Sequence, residues 1–480
     1  MPRLTSSWLV ALAATLSASS ALHEPSPAAP MANGIHKIAH IIIIMQENRS
    51  FDNYFGTFPG ADGIPMHAGA PRVCVPDPLD DSCVRPYHDA NDENTGGPHS
   101  ARAADRDIDG GKMDGFIVVM RGADETGGCP TDIPTCVVKG HERSVMGYHD
   151  ERELPVYWAY ARNFVLQDHM FQPIASWSLP AHLYMVSEWA ASCAILGDPM
   201  SCKPERTYFN PQDFPRDLFD ESSPQLPGRP DYAWTDLTYL LHARGVSWAY
   251  YVMDGFEPDC VNDQSSCNLR PQSARTPGIW NPLRSFTDVK HDGQLSNVKD
   301  TTLFFSDLRD GKLPAVSWLA PGNRYSEHPP GLVSTGQAYV AGIVNAVMRS
   351  KYWDSTAIFV SWDDWGGFYD HVAPPKVNWF GYGLRVPGLV ISAYARKGYV
   401  DHQILSHDAY VKFIEDDFLD GRRLDPKTDG RPDPRAAVPE NAPELGDLRN
   451  DFDFAQAPRP PLILAGGVGP PYKPGYTGPP

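Results

Sequence analysis

The chain has 480 residues, of which 42% are hydrophobic and 21% charged; that composition excludes a globally disordered chain, and that length fits one large α/β domain with insertions, or two domains. A formal net charge of −18 repels nucleic acid and anionic membrane surfaces and argues against a DNA- or RNA-binding role. The 47 prolines and 40 glycines imply many long loops, as around an elaborated active-site rim.

Residues 1–21 read as a signal peptide. Arg3 supplies the positive start, 8–16 (WLVALAATL) the apolar stretch, and Ser19-Ser20-Ala21 the small-residue cleavage site. The apolar run is too short to span a bilayer. Residues 22–35 follow as a flexible linker, 36–455 as the catalytic domain, and 456–480 as a Pro/Gly-rich tail. The eight cysteines fall into four local pairs, Cys74 with Cys83, Cys129 with Cys136, Cys193 with Cys202 and Cys260 with Cys267, separated by 9, 7, 9 and 7 residues. Eight cysteines allow about 105 connectivities, and the spacing favours neighbours joining neighbours. No CxxC knuckle suggests structural zinc. Disulfides and a signal peptide point together to export, to the periplasm or the medium.

The first element is HIIIIM at 40–45, a β-branched run that predicts a strand buried on both faces. Residues 57–145 are rich in Gly, Pro and Asp and read as a long surface excursion carrying two cysteine pairs. An apolar, partly helical pattern resumes at 156–165. The segment 180–190 (PAHLYMVSEWA) predicts a helix with proline in its first turn, and 193–232 is loop-rich. A helix at 237–244 and strands at 246–252 and 315–319 come next. Then come a helix at 337–349, strands at 356–362 (TAIFVSW) and 387–394, and a helix at 408–418. Strands alternating with helices predict an α/β fold, a mostly parallel central sheet covered by helices on both faces, with disulfide-stapled insertions.

Ligands of open α/β sheets bind at the carboxyl ends of strands. HIIIIM discharges into Gln46-Glu47-Asn48-Arg49-Ser50-Phe51-Asp52, and TAIFVSW into Asp363-Asp364-Trp365-Gly366-Gly367-Phe368-Tyr369-Asp370-His371. Acidic residues brought to one sheet edge repel, and a bound cation removes the conflict. Neighbours on a straight strand point to opposite faces, so Asp363 and Asp364 converge only where the backbone leaves the strand; Gly366-Gly367 allows that. Ser178 stands just before the 180–190 helix. A serine there usually caps the helix; the same geometry sets its Oγ at the helix's positive end, where a phosphoryl group is also favoured.

Taken in order, HIIIIMQENRSFDNYFGTFPG, GGKMDGF (110–116), MGYHDERELP (146–155), DHMFQ (168–172), SEHPP (326–330), SWDDWGGFYDHVAPP (361–375) and LRVPGLVIS (384–392) resemble the bacterial phosphoesterase family. That family holds non-haemolytic type phospholipases C and periplasmic acid phosphatases and belongs to the alkaline-phosphatase-like superfamily. The resemblance spans about 36–455. It implies one divalent metal held by Glu47, Asn48, Asp363, Asp364 and the oxygen of Ser178, with Ser178 as nucleophile. It also implies that His99, in GGPHS, and His328, in SEHPP, contact the phosphoryl oxygens or protonate the leaving group. Asn48, His182, Trp177, Trp365 and Tyr369 are the expected substrate-binding residues, and Trp177, Trp362, Trp365 and Tyr369 are candidates for a cage around a choline cation. The donor set is all oxygen, which suits Ca²⁺, Mg²⁺ or Mn²⁺ better than Zn²⁺.

The implied activity is phospholipase C-like cleavage of a glycerophospholipid to diacylglycerol and a phospho-headgroup, through a phosphoserine. The phospholipase members commonly carry threonine, then proline two residues on, then Asn-Arg, where this chain has Ser178-Leu179-Pro180-Ala181-His182. They also commonly carry Asp-Glu in place of Asp363-Asp364. Both departures weigh against a lipid substrate, and Asp363-Asp364 looks more like the acid phosphatases; the alternative is a broad acid phosphatase acting on phosphomonoesters. A catalytically inactive surface binding protein on the same fold is the alternative of another class. The expected partners are a phosphate-ester or phospholipid substrate, with no nucleic acid and no stable membrane anchor.

Overall fold

The structure is a computed structural model and describes Met1 and residues 33–80, 82–125, 141–206, 231–257, 270–377 and 380–470. Eight strands form one sheet: β1 His40–Gln46, β2 Val165–Gln167, β3 Trp248–Val252, β4 Val298–Asp300, β5 Val316–Ala320, β6 Thr356–Trp362, β7 Gly388–Ser392 and β8 Tyr399–Asp401. They lie in the order β4-β3-β5-β1-β6-β7-β2-β8. Only β7 runs against the rest, antiparallel to β6 and β2. The remaining neighbours pair parallel.

The isoleucine run explains why β1 is central. From Ile41 to Gln46 every residue is buried, and so is all of β6. Side chains alternate across a sheet, so complete burial means that both faces are covered. Register then sets the site. Gln46 stands opposite Trp362, and the Asp363 amide donates to the Gln46 carbonyl at 3.0 Å. Glu47 and Asp363 therefore leave the sheet side by side at one edge.

Helices around the sheet include α1 Phe51–Phe55, α2 Ala101–Ile108, α3 Phe116–Glu125, α4 Pro155–Asn163, α5 Ser178–Ser187, α6 Val333–Met348 and α7 Asp408–Phe418. Three three-residue strands, β2, β4 and β8, escape the sequence pattern because they are too short to show a period. The excursion is more than a surface loop. Its described part carries α2 and α3, and Ala104, Phe116, Ile117 and Met120 form a second apolar cluster with Trp365 and Tyr369. The stretch after 455 runs along α6: Val468 N–H donates to Ala338 O at 2.8 Å, and Leu464 N–H to Asn345 Oδ1 at 3.0 Å. Cys74–Cys83 and Cys193–Cys202 are bridged. Cys129, Cys136, Cys260 and Cys267, and the signal segment after Met1, lie outside the described residues.

Candidate active site

At the exits of β1 and β6 the chain turns sharply. Asn48 has φ +58°, and Gly366 and Gly367 have φ +60° and +76°. A Cβ on Gly366 would stand 2.5 Å from the Asn48 carbonyl oxygen, and one on Gly367 2.5 Å from the Gly97 Cα. Glycine is thus required twice, for its left-handed backbone and for close approach. The turn folds Asp363 and Asp364 back over β1, as the sequence pattern anticipates. Asp363 Oδ1 accepts from the backbone N–H of Asn48 at 3.0 Å and of Asp364 at 2.7 Å, and Asp364 Oδ1 accepts from Gly366 N–H at 2.7 Å. The Gly97 amide donates to the Gly366 carbonyl at 2.8 Å, which docks the 97–99 segment on this loop.

Helix α5 brings in the serine. It runs from Ser178 to Ser187, starting two residues before and ending three residues before the 180–190 expectation. Glu188 closes it in a left-handed conformation at φ +54°. Ser178 is the first helical residue rather than the cap; Trp177 holds that position, without a side-chain cap bond. The Ser178 hydroxyl is therefore available for other use, and it donates to Asp364 Oδ2 at 3.1 Å. Four residues on, His182 shares the same helix face. Its Nε2 lies 3.1 Å from Glu47 Oε1 and 3.9 Å from Asp363 Oδ2.

Glu47, Asn48, Ser178, His182, Asp363 and Asp364 are all essentially inaccessible, the most exposed being Asn48 at 1%. Carboxylates buried so close together are stabilised by hydrogen bonds or by nearby positive charge. The donors fit a divalent ion. The Asn48 Oδ1 and Asp363 Oδ2 atoms are buried and make no hydrogen bond, and ligand atoms of Glu47, His182 and Asp363 lie within 4.8 Å of one another. Of the five expected ligand residues, Glu47 and Asp363 bring ligand atoms together, Asn48 meets Asp363 through its backbone N–H, and Ser178 meets Asp364. His182, placed among the substrate contacts by the sequence reading, stands with the carboxylates instead.

The histidines line the neighbouring side. His99 Nε2 lies 3.2 Å from Asn48 Nδ2, and its Nδ1 2.9 Å from the Gly97 carbonyl. The rings of His99 and His328 are 5.9 Å apart. The aromatic candidates sit in packing. Trp177 and Trp365 are buried, and Trp365 Nε1 donates to Asp107 Oδ2 at 2.9 Å. Tyr369 packs edge-on against Phe116 at 5.2 Å, and Trp362 Nε1 donates to Glu327 Oε2 at 3.1 Å.

Two residues of the surrounding frame were not singled out by sequence reasoning. Glu327 is buried with φ +70°. Its carboxyl accepts from Tyr54 Oη at 2.7 Å, Gln46 Nε2 at 3.3 Å, Trp362 Nε1 and the Tyr157 hydroxyl, and its carbonyl accepts from Arg49 at 2.8 Å. Gln46, Arg49 and Trp362 flank the ligand positions, so one carboxyl pins both strand exits. Burial pushes that carboxyl up to about 7. His407 Nε2 lies 3.1 Å from the Trp362 carbonyl and 3.3 Å from Ser361 Oγ. Burial lowers His407 to about 4, which keeps it neutral beneath the acidic edge. The SEHPP motif contained the signal for Glu327; nothing in the sequence marked His407.

A family model described as the Phosphoesterase family matches residues 38–419. The chain is similar to "Phospholipase C B" of Mycobacterium tuberculosis, at 26% identity over 90% of this chain and 81% of that protein. It is also similar to "Non-hemolytic phospholipase C" of Burkholderia pseudomallei, at 27% identity over 89% of this chain and 61% of that protein. Among solved structures, a protein in the alkaline phosphatase superfamily from Vibrio parahaemolyticus matches at 13% identity and a TM-score of 0.31, over 60% of this chain and 65% of that chain.

Proposed function

Because this chain belongs to the Phosphoesterase family and is a phosphoric ester hydrolase, we propose that it is a metal-dependent, phospholipase C-like enzyme working through a phosphoserine on Ser178. The observation that carries this reading is the buried Ser178 hydroxyl, hydrogen-bonded to Asp364 at the positive end of α5. A phosphoryl group at that helix start meets the positive end of the helix dipole.

Ser178 Oγ attacks phosphorus in line with the leaving alcohol, and Asp364 Oδ2 receives its hydrogen. Asn48 and His99 orient the phosphoryl oxygens, and His328 donates a proton to the departing oxygen. Water then cleaves the phosphoserine, which restores the hydroxyl. A divalent ion held by Glu47, Asn48, Asp363, Asp364 and the Ser178 oxygen would neutralise the carboxylates and supply Lewis acidity.

Phospholipid is the substrate proposed, in keeping with the names of the relatives. A phosphomonoesterase is the second reading. It is favoured by the packing of Trp177, Trp365 and Tyr369, which occupies the rings that a choline cage would use. We also propose the division into signal segment, linker, catalytic domain and tail, with export. The two bridged cysteine pairs support export. No helix among the described residues is long and apolar enough to cross a membrane.

The test is a substrate panel with the purified full chain. Release of diacylglycerol from phosphatidylcholine at a higher kcat/KM than phosphate from p-nitrophenyl phosphate is expected. The opposite order replaces the first reading by the second, and no turnover of either leaves an inactive binding protein.

A further inference from the structure

An ion at this centre meets more than oxygen. Ser178 and His182 stand four residues apart on α5, so the helix that presents the nucleophile also presents an imidazole to the same acidic edge. The ring is fully buried and lies nearly parallel to the Trp280 indole, 6.4 Å away at 21°. Its Nε2, rather than a ring face, meets the carboxylates, at 3.1 Å from Glu47 Oε1 and 3.9 Å from Asp363 Oδ2. One ligand atom from each of the three residues lies within 4.8 Å of the other two. Metal–ligand bonds of about 2.0–2.2 Å place neighbouring donors of one ion roughly 3–3.5 Å apart. The 3.1 and 3.9 Å separations of Nε2 from the two carboxylates lie close to that range.

The geometry points to His182 as a metal ligand through Nε2, completing a mixed nitrogen and oxygen set with Glu47 and Asp363. This rests on reading the same centre as a metal site. The consequence is selectivity. Ca²⁺, Mg²⁺ and Mn²⁺ favour oxygen donors, whereas imidazole suits Zn²⁺, Fe²⁺, Ni²⁺ and Cu²⁺. The oxygen atoms alone would suit a hard ion; His182 shifts the preference to a divalent transition ion.

The test uses the full chain stripped with chelator and reloaded with Zn²⁺ or Ca²⁺. X-ray absorption at the zinc edge is expected to show imidazole scattering in the wild type. His182→Gln, checked for fold by circular dichroism, is expected to lose that signal. By calorimetry the variant loses at least the roughly 10–100-fold in Zn²⁺ affinity that removing even a supporting partner costs, while Ca²⁺ affinity changes by less than about 3-fold. The Asp52, Asp370 and His371 cluster and the His88, Asp150 and Glu153 cluster also offer imidazoles, and a signal that survives in His182→Gln would assign zinc to one of them and overturn the proposal. Zinc bound in an oxygen-only shell overturns it as well, while leaving the centre a metal site. A stripped chain that binds neither ion yet turns over substrate removes the metal reading itself.

Discussion

At the scale of single residues, Ser178 and Glu327 carry opposite burdens. The Ser178 hydroxyl makes one hydrogen bond, to Asp364, so removing it costs the fold only about 1 kcal/mol. It is also the proposed attacking atom. Ser178→Ala is expected to lower kcat by at least about 1,000-fold with an unchanged circular dichroism spectrum; near-normal turnover by the folded variant would remove Ser178 from the chemistry. Glu327 carries a structural load. Its carboxyl stands at about 7 against an ordinary 4.5, chiefly because of burial. Between those two values the unfolded chain has lost the proton that the folded chain keeps. The folded state binds more protons, so stability falls as pH rises through this window, by up to about 3 kcal/mol. Glu327→Gln, which cannot ionise, is expected to abolish that part of the slope. Urea unfolding at pH 4.5 and pH 7 checks it, and equal slopes in wild type and variant would show that another group is responsible.

At the scale of elements, the Gly366-Gly367 turn decides whether two strand exits become one site. Gly34 offers a control: it also has a positive φ, +58°, but a Cβ there would meet nothing within 4 Å. Gly34→Ala is expected to cost only the backbone strain, about 1–2 kcal/mol. Gly366→Ala adds a collision with the Asn48 carbonyl at 2.5 Å. It is expected to cost at least about 1 kcal/mol more and to weaken metal retention, because Asn48 and Asp363 must move apart. Unfolding midpoints and metal content after dialysis read both effects. Equal losses in the two variants would mean that the close approach carries no weight. The excursion between β1 and α4 belongs to this scale as well. Its α2 and α3 bury Trp365 and Tyr369, and Gly97 docks on Gly366, so an insertion far along the chain sets His99 against Asn48.

At the scale of the molecule, the sheet gathers acidic residues at its carboxyl edge, and the proposed ion would hold them there. Glu47, Asp363 and Asp364 are buried together, so a bound divalent ion stabilises the folded state by mass action, about 4 kcal/mol at roughly 1,000 times its Kd. Chelation is expected to lower the melting temperature and abolish turnover together, with both restored by readdition of a divalent ion. An unchanged melting temperature after metal removal, confirmed by elemental analysis, would show that the acidic edge is compensated within the protein. The same linkage weakens metal binding as the pH falls and the ligand carboxylates protonate.

By itself the sequence determined the strands β1 and β6 and the residues that emerge from their ends. A run such as HIIIIM has one low-energy home, a strand covered on both faces, and residues after such strands must emerge at a sheet edge. Glu47, Asn48, Asp363 and Asp364 were legible as strand-exit residues for that reason, whereas Ser178, which position alone would make an ordinary helix cap, entered through the family resemblance. The bridged pairs Cys74–Cys83 and Cys193–Cys202 were legible from spacing. Only the tertiary structure decided which atoms face one another. Register places Gln46 beside Trp362, and residues hundreds of positions apart meet through it. The direction of a helix face turned His182 toward Glu47. The carboxyl of Glu327 joined groups from both strand exits, α1 and α4. Periodicity reports which side chains are buried; it carries no information on which buried polar group finds which partner, because that pairing depends on distances set by the packed sheet.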